Sequence, residues 1–103
     1  MSKIALVAKL VCKEGSRDAA VEILTKQVAA IETEVGTEVY SLNVDKGDDV
    51  TIWFFELYTD KDALVTHGSS EVMKSNGALL APLLAGRPEI FRLTPVSAKG
   101  LSL

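Results

Sequence analysis

VTIWFFELYTDKDALVTHG, residues 50–68, decides how this chain folds. Its opening run, Val50 to Tyr58, is β-branched, aromatic or aliphatic except for the single charge of Glu56. Such a run reads as a strand with both faces buried. The period then changes from two to that of a helix. Thr59 and Asp62 form a capping-box-like start, with Asp in place of the usual Glu. Ala63, Leu64 and His67 share one helical face, and Gly68 bends or ends that helix.

Working outward toward the N-terminus, Lys46-Gly47-Asp48-Asp49 is a hairpin loop. Residues 38–45 (EVYSLNVD) alternate and read as a second strand. Before it, Val21, Leu24, Val28, Ile31 and Val35 are spaced as one face of an amphipathic helix over 17–35, with Ser16 as N-cap, Asp18 in the first turn and Gly36 as the stop. Glu14-Gly15 is a turn, and residues 3–12 (KIALVAKLVC) form an opening strand that is apolar on both faces except at Lys9. Toward the C-terminus, Ser69 or Ser70 caps another helix carrying Val72, Met73, Asn76, Leu79, Leu80 and Leu83, which kinks or ends near Ala81 before Pro82. Gly86-Arg87-Pro88 stops it, residues 89–96 form the final strand, and residues 97–103 are a tail.

Strand, helix, strand, strand, helix pair, strand is the α+β, ferredoxin-like split βαβ pattern. It gives one domain over residues 3–96, with the first and third strands central and expected to be parallel. Helices cover only one face of such a sheet. Here the other face is apolar too: Trp53, Phe55 and Leu57 alternate with Ile52 and Phe54, and Ala5, Val7 and Val11 with Leu6, Ala8 and Leu10. A bare apolar face of that size predicts a homodimer packed sheet to sheet.

Composition limits the function classes. The chain has 103 residues, and 11 basic against 14 acidic residues give a formal net charge of −3 with no Lys/Arg run, so no nucleic-acid partner is expected. No apolar stretch reaches the roughly 18 residues that span a membrane. The N-terminus, broken by Lys9, does not read as a signal peptide. A lone Cys12 permits no intrachain disulfide and fits a reducing, cytoplasmic setting.

Few residues can carry chemistry. His67 is the only histidine, so it is either a buried residue tying down a helix end or a hydrogen-bond donor or general base. Glu56, in an apolar strand, must be paired or protonated. It could orient His67 or a backbone N–H, or pair structurally with Lys9 or Arg92. Trp53, Phe54, Phe55, Tyr58, Tyr40 and Met73 are either core or the walls of a pocket for a flat ring, with Asn43 and Asn76 as polar anchors. The parity of the third strand leaves open whether Trp53 and Phe55 face the pocket or the dimer partner. Cys12 lacks a visible activating partner, no nucleophile elbow or phosphate loop is present, and no metal site is expected.

The run from Phe55 to His67 resembles the antibiotic biosynthesis monooxygenase domain family: a strand ending Glu-x-Tyr, a polar turn, then Ala-Leu and a His four residues after the Ala. Gly15, Gly36, Gly86-Arg87-Pro88 and Leu93-Thr94-Pro95-Val96 extend the likeness over residues 3–96. The resemblance implies a dimeric ferredoxin-like α/β barrel with a pocket in each protomer between sheet and helices. It implies a cofactor-free oxidoreductase acting on a quinol, anthrone or related polyphenol. The roles implied are His67 as proton acceptor or donor, Trp53, Tyr58 and Asn76 as orienting groups, and Phe55, Met73 and Leu80 as walls. The family also contains haem-degrading proteins, but the first strand here has no Asn and Trp53 lies on a strand, which argues against haem. An isomerase of a small phosphorylated metabolite, with Lys9, Arg87 and Arg92 for the phosphate, and a non-catalytic dimeric ligand-binding or stress-related protein are the alternatives.

Overall fold

Alternation along the strands sorts the side chains onto two faces. A computed structural model describes residues 2–103. Four strands, β1 (Ile4–Val11), β2 (Thr37–Val44), β3 (Thr51–Tyr58) and β4 (Glu89–Leu93), form one sheet in the order β2-β3-β1-β4. The central pair is β3 and β1, and every pairing is antiparallel, correcting the parallel arrangement expected for them. The reason is topological. The helical crossover after β1 returns the chain parallel to it as β2, the tight loop then reverses it, and β3 slots between the two antiparallel to both.

On one face, Leu6, Ala8 and Leu10 of β1 and Ile52, Phe54 and Tyr58 of β3 join Ala20 and Leu24 of helix α1 (Arg17–Ile31) and Leu80 of helix α3 (Glu71–Leu80) in the core. Helix α2 (Lys61–Gly68) precedes α3, and a 3₁₀ turn, Ala81–Leu83, follows it at Pro82.

The ends of the helices differ from expectation in detail. Asp60, not Thr59, caps α2, its carboxylate accepting from Ala63 N–H at 2.8 Å. Thr59 instead donates its hydroxyl to Glu38 at 2.7 Å. Ser70 caps α3, while Ser16 makes no side-chain cap bond. Helix α1 ends at Ile31, short of Val35, which is 95% exposed. The chain leaves it through tight turns, Glu34 N–H to Ile31 O and Thr37 N–H to Glu34 O. These bring Gly36 hard against α2: a Cβ at residue 36 would lie 2.4 Å from Ala63 Cβ. Gly36 is therefore a close-packing glycine rather than a helix stop. Strand β4 ends at Leu93, because Pro95 has no N–H to continue the ladder.

The helix-free face carries Ala5 and Leu57, both buried, with Val7, Trp53 and Phe55 half-buried and Phe91 and Leu93 of β4 about half exposed. Trp53 donates its indole N–H to Asp45 at 2.8 Å, and Lys9 lies 5.5 Å from the Trp53 ring centroid. The tail is tied to the start of β1 by Lys3 Nζ, which donates to Ser102 O at 2.6 Å. Among the described residues no helix is long and apolar enough to cross a membrane.

Candidate functional site

Between the sheet and the helices lies a cavity of about 710 Å³. Its floor is set by strand register. One row runs Tyr40–Glu56–Leu6–Arg92 across all four strands, and the next runs Leu42–Phe54–Ala8–Ile90. Leu24 and Gln27 of α1, Leu64 and His67 of α2, and Met73, Gly77 and Leu80 of α3 line it from the helix side. Leu84 to Pro88, the segment leading into β4, lines it further.

Two buried titratable groups open onto this cavity. His67 is 4% exposed, and its Nδ1 lies 2.9 Å from Glu34 Oε1, which also accepts from the Thr37 hydroxyl at 2.8 Å. A carboxylate only accepts, so Nδ1 carries the proton and donates it. In the neutral imidazole the lone pair is then on Nε2. That nitrogen has no hydrogen-bond partner among the described residues and is not sealed off, and His67 lines the cavity. The rings of Tyr40 and Tyr58 hold the imidazole from two sides, with centroids at 5.0 and 5.3 Å.

Glu56 is 5% exposed and accepts a hydrogen bond from the Tyr58 hydroxyl at Oε1. Its Oε2 likewise has no hydrogen-bond partner among the described residues, and Glu56 lines the cavity. Burial pushes the Glu56 carboxyl above its usual range, against the opposing effects of the Tyr58 bond and of His67. Burial, then the Glu56 acceptor, raises the Tyr58 phenol, and burial, then the Glu56 charge, raises Tyr40. Both phenols are therefore held neutral. A relay of amides fixes Tyr40: Asn76 Nδ2 donates to Gln27 Oε1 at 2.9 Å, and Gln27 Nε2 donates to the Tyr40 oxygen at 2.5 Å.

The residues singled out in the sequence fall into three groups. His67, Glu56, Met73 and Leu80 line the cavity. Tyr58 and Asn76 stand behind it, Tyr58 against Glu56 and Asn76 against Gln27. Trp53 and Phe55 lie on the opposite face of the sheet, because the even-numbered residues of β3 take the helix side. The expected substrate contacts from these two side chains are thereby withdrawn. Glu56 makes no ion pair with Lys9 or Arg92. Asn43 bonds locally to Ser41 and to Trp53 O, away from the cavity. Cys12 is buried, and burial raises its thiol, so it is no nucleophile. No group of three or more His, Cys, Asp or Glu side chains among the described residues could hold a metal.

Glu34 and Gln27 went unrecognised in the sequence. For Gln27 the signal was positional: Ala20, Leu24, Gln27 and Ile31 form one inward stripe at spacings of four and three, and Gln27 is its polar member; Glu34 reaches the site from the turn after α1 and left no periodic signal.

The family model for antibiotic biosynthesis monooxygenase matches residues 3–75, well over half of the chain. The chain belongs to the antibiotic biosynthesis monooxygenase family. A candidate monooxygenase of this family from Caulobacter crescentus CB15 is 30% identical, with 93% of this chain and 92% of that one covered at a TM-score of 0.88. Another from Chloroflexus aurantiacus J-10-fl is 26% identical, covering 98% and 100% at 0.82. A protein of unknown function from Nitrosomonas europaea, 24% identical over 99% and 97% at 0.85, shares the fold. No curated protein matches the chain significantly. Within the run from Phe55 to His67, Glu56, Leu64 and His67 line the cavity, and Glu56 and His67 are its titratable members.

Proposed function

We propose that this chain is a small cofactor-independent monooxygenase that oxidises a quinol, anthrone or related polyphenol with dioxygen. The observation that carries the reading is His67, which lines an apolar cavity with Nε2 free of any hydrogen-bond partner among the described residues while Glu34 holds the other ring nitrogen. His67 takes a phenolic proton, and the Glu34 carboxylate stabilises the imidazolium that forms. The phenolate is electron-rich enough to reduce dioxygen directly. A carbon–oxygen bond forms at a ring carbon, the oxygen–oxygen bond of the resulting hydroperoxide breaks, and that carbon becomes a carbonyl. One oxygen atom stays in the product and the other leaves as water, taking the proton held by His67. For an anthrone, the CH₂ carbon loses four electrons and dioxygen gains four, so no external reductant is needed.

The remaining groups suit this task. Glu56, whose carboxyl is pushed above its usual range by burial, accepts the Tyr58 hydroxyl and holds that side chain behind the cavity. Leu6, Ala8, Leu10, Phe54 and Leu80 exclude water. The cavity volume falls in the ordinary range for small-molecule sites, roughly 300–1,000 Å³. A phosphorylated sugar fits less well, since its hydroxyls would face this aliphatic floor unpaired. We further propose that the helix-free face pairs with a second copy, which would cover Val7, Phe55, Phe91 and Leu93.

The test is turnover of naphthohydroquinones and anthrones under ¹⁸O-labelled dioxygen. One labelled atom per product molecule supports monooxygenation. Unlabelled quinone with hydrogen peroxide contradicts it, and binding without oxygen consumption favours a non-catalytic ligand-binding role.

A further inference from the structure

We infer that the cavity contains an anion subsite, formed by Arg87 and Arg92, that selects an aromatic ligand bearing a carboxylate at the end opposite its hydroxyl. The inference rests on the proposed function only for the identity of the hydroxyl end. Both guanidinium-bearing side chains line the cavity, and neither takes part in an ion pair or side-chain hydrogen bond among the described residues. Every other lining residue apart from Glu56 and His67 is uncharged, so these two are its unmatched positive charges. Their position is set by register. Arg92 on β4 lies in the same cross-strand row as Glu56, with only Leu6 of β1 between them. Two strand spacings of about 4.8 Å separate those positions along the floor. His67 lies at the other end, against the rings of Tyr40 on β2 and Tyr58 on β3. The floor between carries Leu6, Ala8 and Phe54, with Glu56 as its one titratable group.

The cavity is thus polarised, with a proton-accepting end under α2 and a cationic end beside β4. A two-ring aromatic with a hydroxyl on one ring and a carboxylate on the other would present one group to each end. The planar guanidinium fork matches a carboxylate with two parallel hydrogen bonds. Because both arginines are exposed, solvent weakens the attraction, and the expected effect is selectivity of about tenfold rather than thousands.

The experiment is calorimetric titration of the full chain with 6-hydroxy-2-naphthoic acid and with its methyl ester, neither of which is a quinol. The acid is expected to bind about tenfold more tightly than the ester in low salt, with the preference shrinking as salt rises. In the Arg87→Gln/Arg92→Gln variant the acid should weaken to the level of the ester while the ester is unchanged, which also reports that the variant is folded. Each single variant should show an intermediate preference. Equal binding of the two probes, a preference that survives in the double variant, or binding of neither probe overturns the subsite. Oxygen consumption decides the oxygenase reading separately. Turnover of uncharged quinols without any acid preference keeps the oxygenase and removes the subsite, and acid preference without turnover does the reverse.

Discussion

Glu34 and His67, 33 positions apart in the chain, meet at 2.9 Å through Oε1 and Nδ1. The pairing fixes which imidazole nitrogen is left to act in the cavity. It predicts a graded response. His67→Ala should lower kcat on a quinol by roughly 10²–10⁴-fold, the usual contribution of a general base. Glu34→Gln leaves the base in place without its charged partner and should cost roughly tenfold, about 1.4 kcal/mol. The loss should fall in kcat with KM unchanged, and Glu34→Asp should recover part of it. A KM effect without a kcat effect would assign Glu34 to packing.

Glu56 predicts a pH dependence of stability. Its folded carboxyl sits above the usual 4.5 because burial penalises the charge. The native state then holds a proton that the unfolded chain has released, so stability falls as pH rises from about 4.5 through the folded value. In Glu56→Gln the amide oxygen can still accept from Tyr58, and this fall should be reduced. Urea unfolding of both proteins between pH 4 and 8 checks it through the difference between the two profiles. The acids at the surface act the other way: Asp45, lowered by the Trp53 and Gly47 N–H bonds, contributes stability that is lost only below its usual 3.8.

Gly36 and Ala63 give a packing prediction. A methyl group at residue 36 would meet Ala63 Cβ at 2.4 Å, so Gly36→Ala should destabilise the fold by about 1–3 kcal/mol. Ala63→Gly costs about 1 kcal/mol by helix propensity alone. Combined, the two should cost less than their sum, because the second change removes the clash. A double-mutant cycle in urea measures that coupling, and strict additivity would show that the clash is relieved elsewhere.

The apolar helix-free face predicts association. Phe91 is 46% exposed on the edge strand, so Phe91→Asp should leave the fold intact while weakening a sheet-to-sheet dimer. Sedimentation velocity should show a dimer for the parent chain and a monomer for the variant. The fluorescence of Trp53, the sole tryptophan, should shift on dilution in the parent. A monodisperse parent monomer at micromolar concentration would contradict the pairing.

Much of the fold was legible because its signals are periodic. The run from Thr51 to Tyr58, the stripe through Leu24 and Ile31, and the break at Pro82 mark elements that the structure contains. What escaped depends on contacts between distant parts. The role of Gly36 is visible only once α2 is packed against it, and the Asp60 cap only once Thr59 has turned to Glu38. Strand direction was misjudged because apolar runs reveal burial but not polarity. The site was half legible. His67 and Glu56 stand out as isolated polar groups in apolar surroundings. Trp53 and Phe55 drew attention through aromatic content, yet alternation turns them to the other face. Gln27 was hidden as an ordinary helix-surface polar residue although its spacing continues the buried stripe, and Glu34 reaches the site only through the turns that follow α1.

The central claim is that His67 is the base of a dioxygen-consuming site. Its most direct test is oxygen uptake by metal-stripped protein on a panel of hydroquinones, naphthohydroquinones and anthrones, with His67→Ala run in parallel. The account predicts consumption above the autoxidation rate that collapses in the variant while the variant, destabilised by loss of a buried side chain, stays folded at the assay temperature by circular dichroism. Uptake that is equal in both proteins, or absent from both, would contradict it.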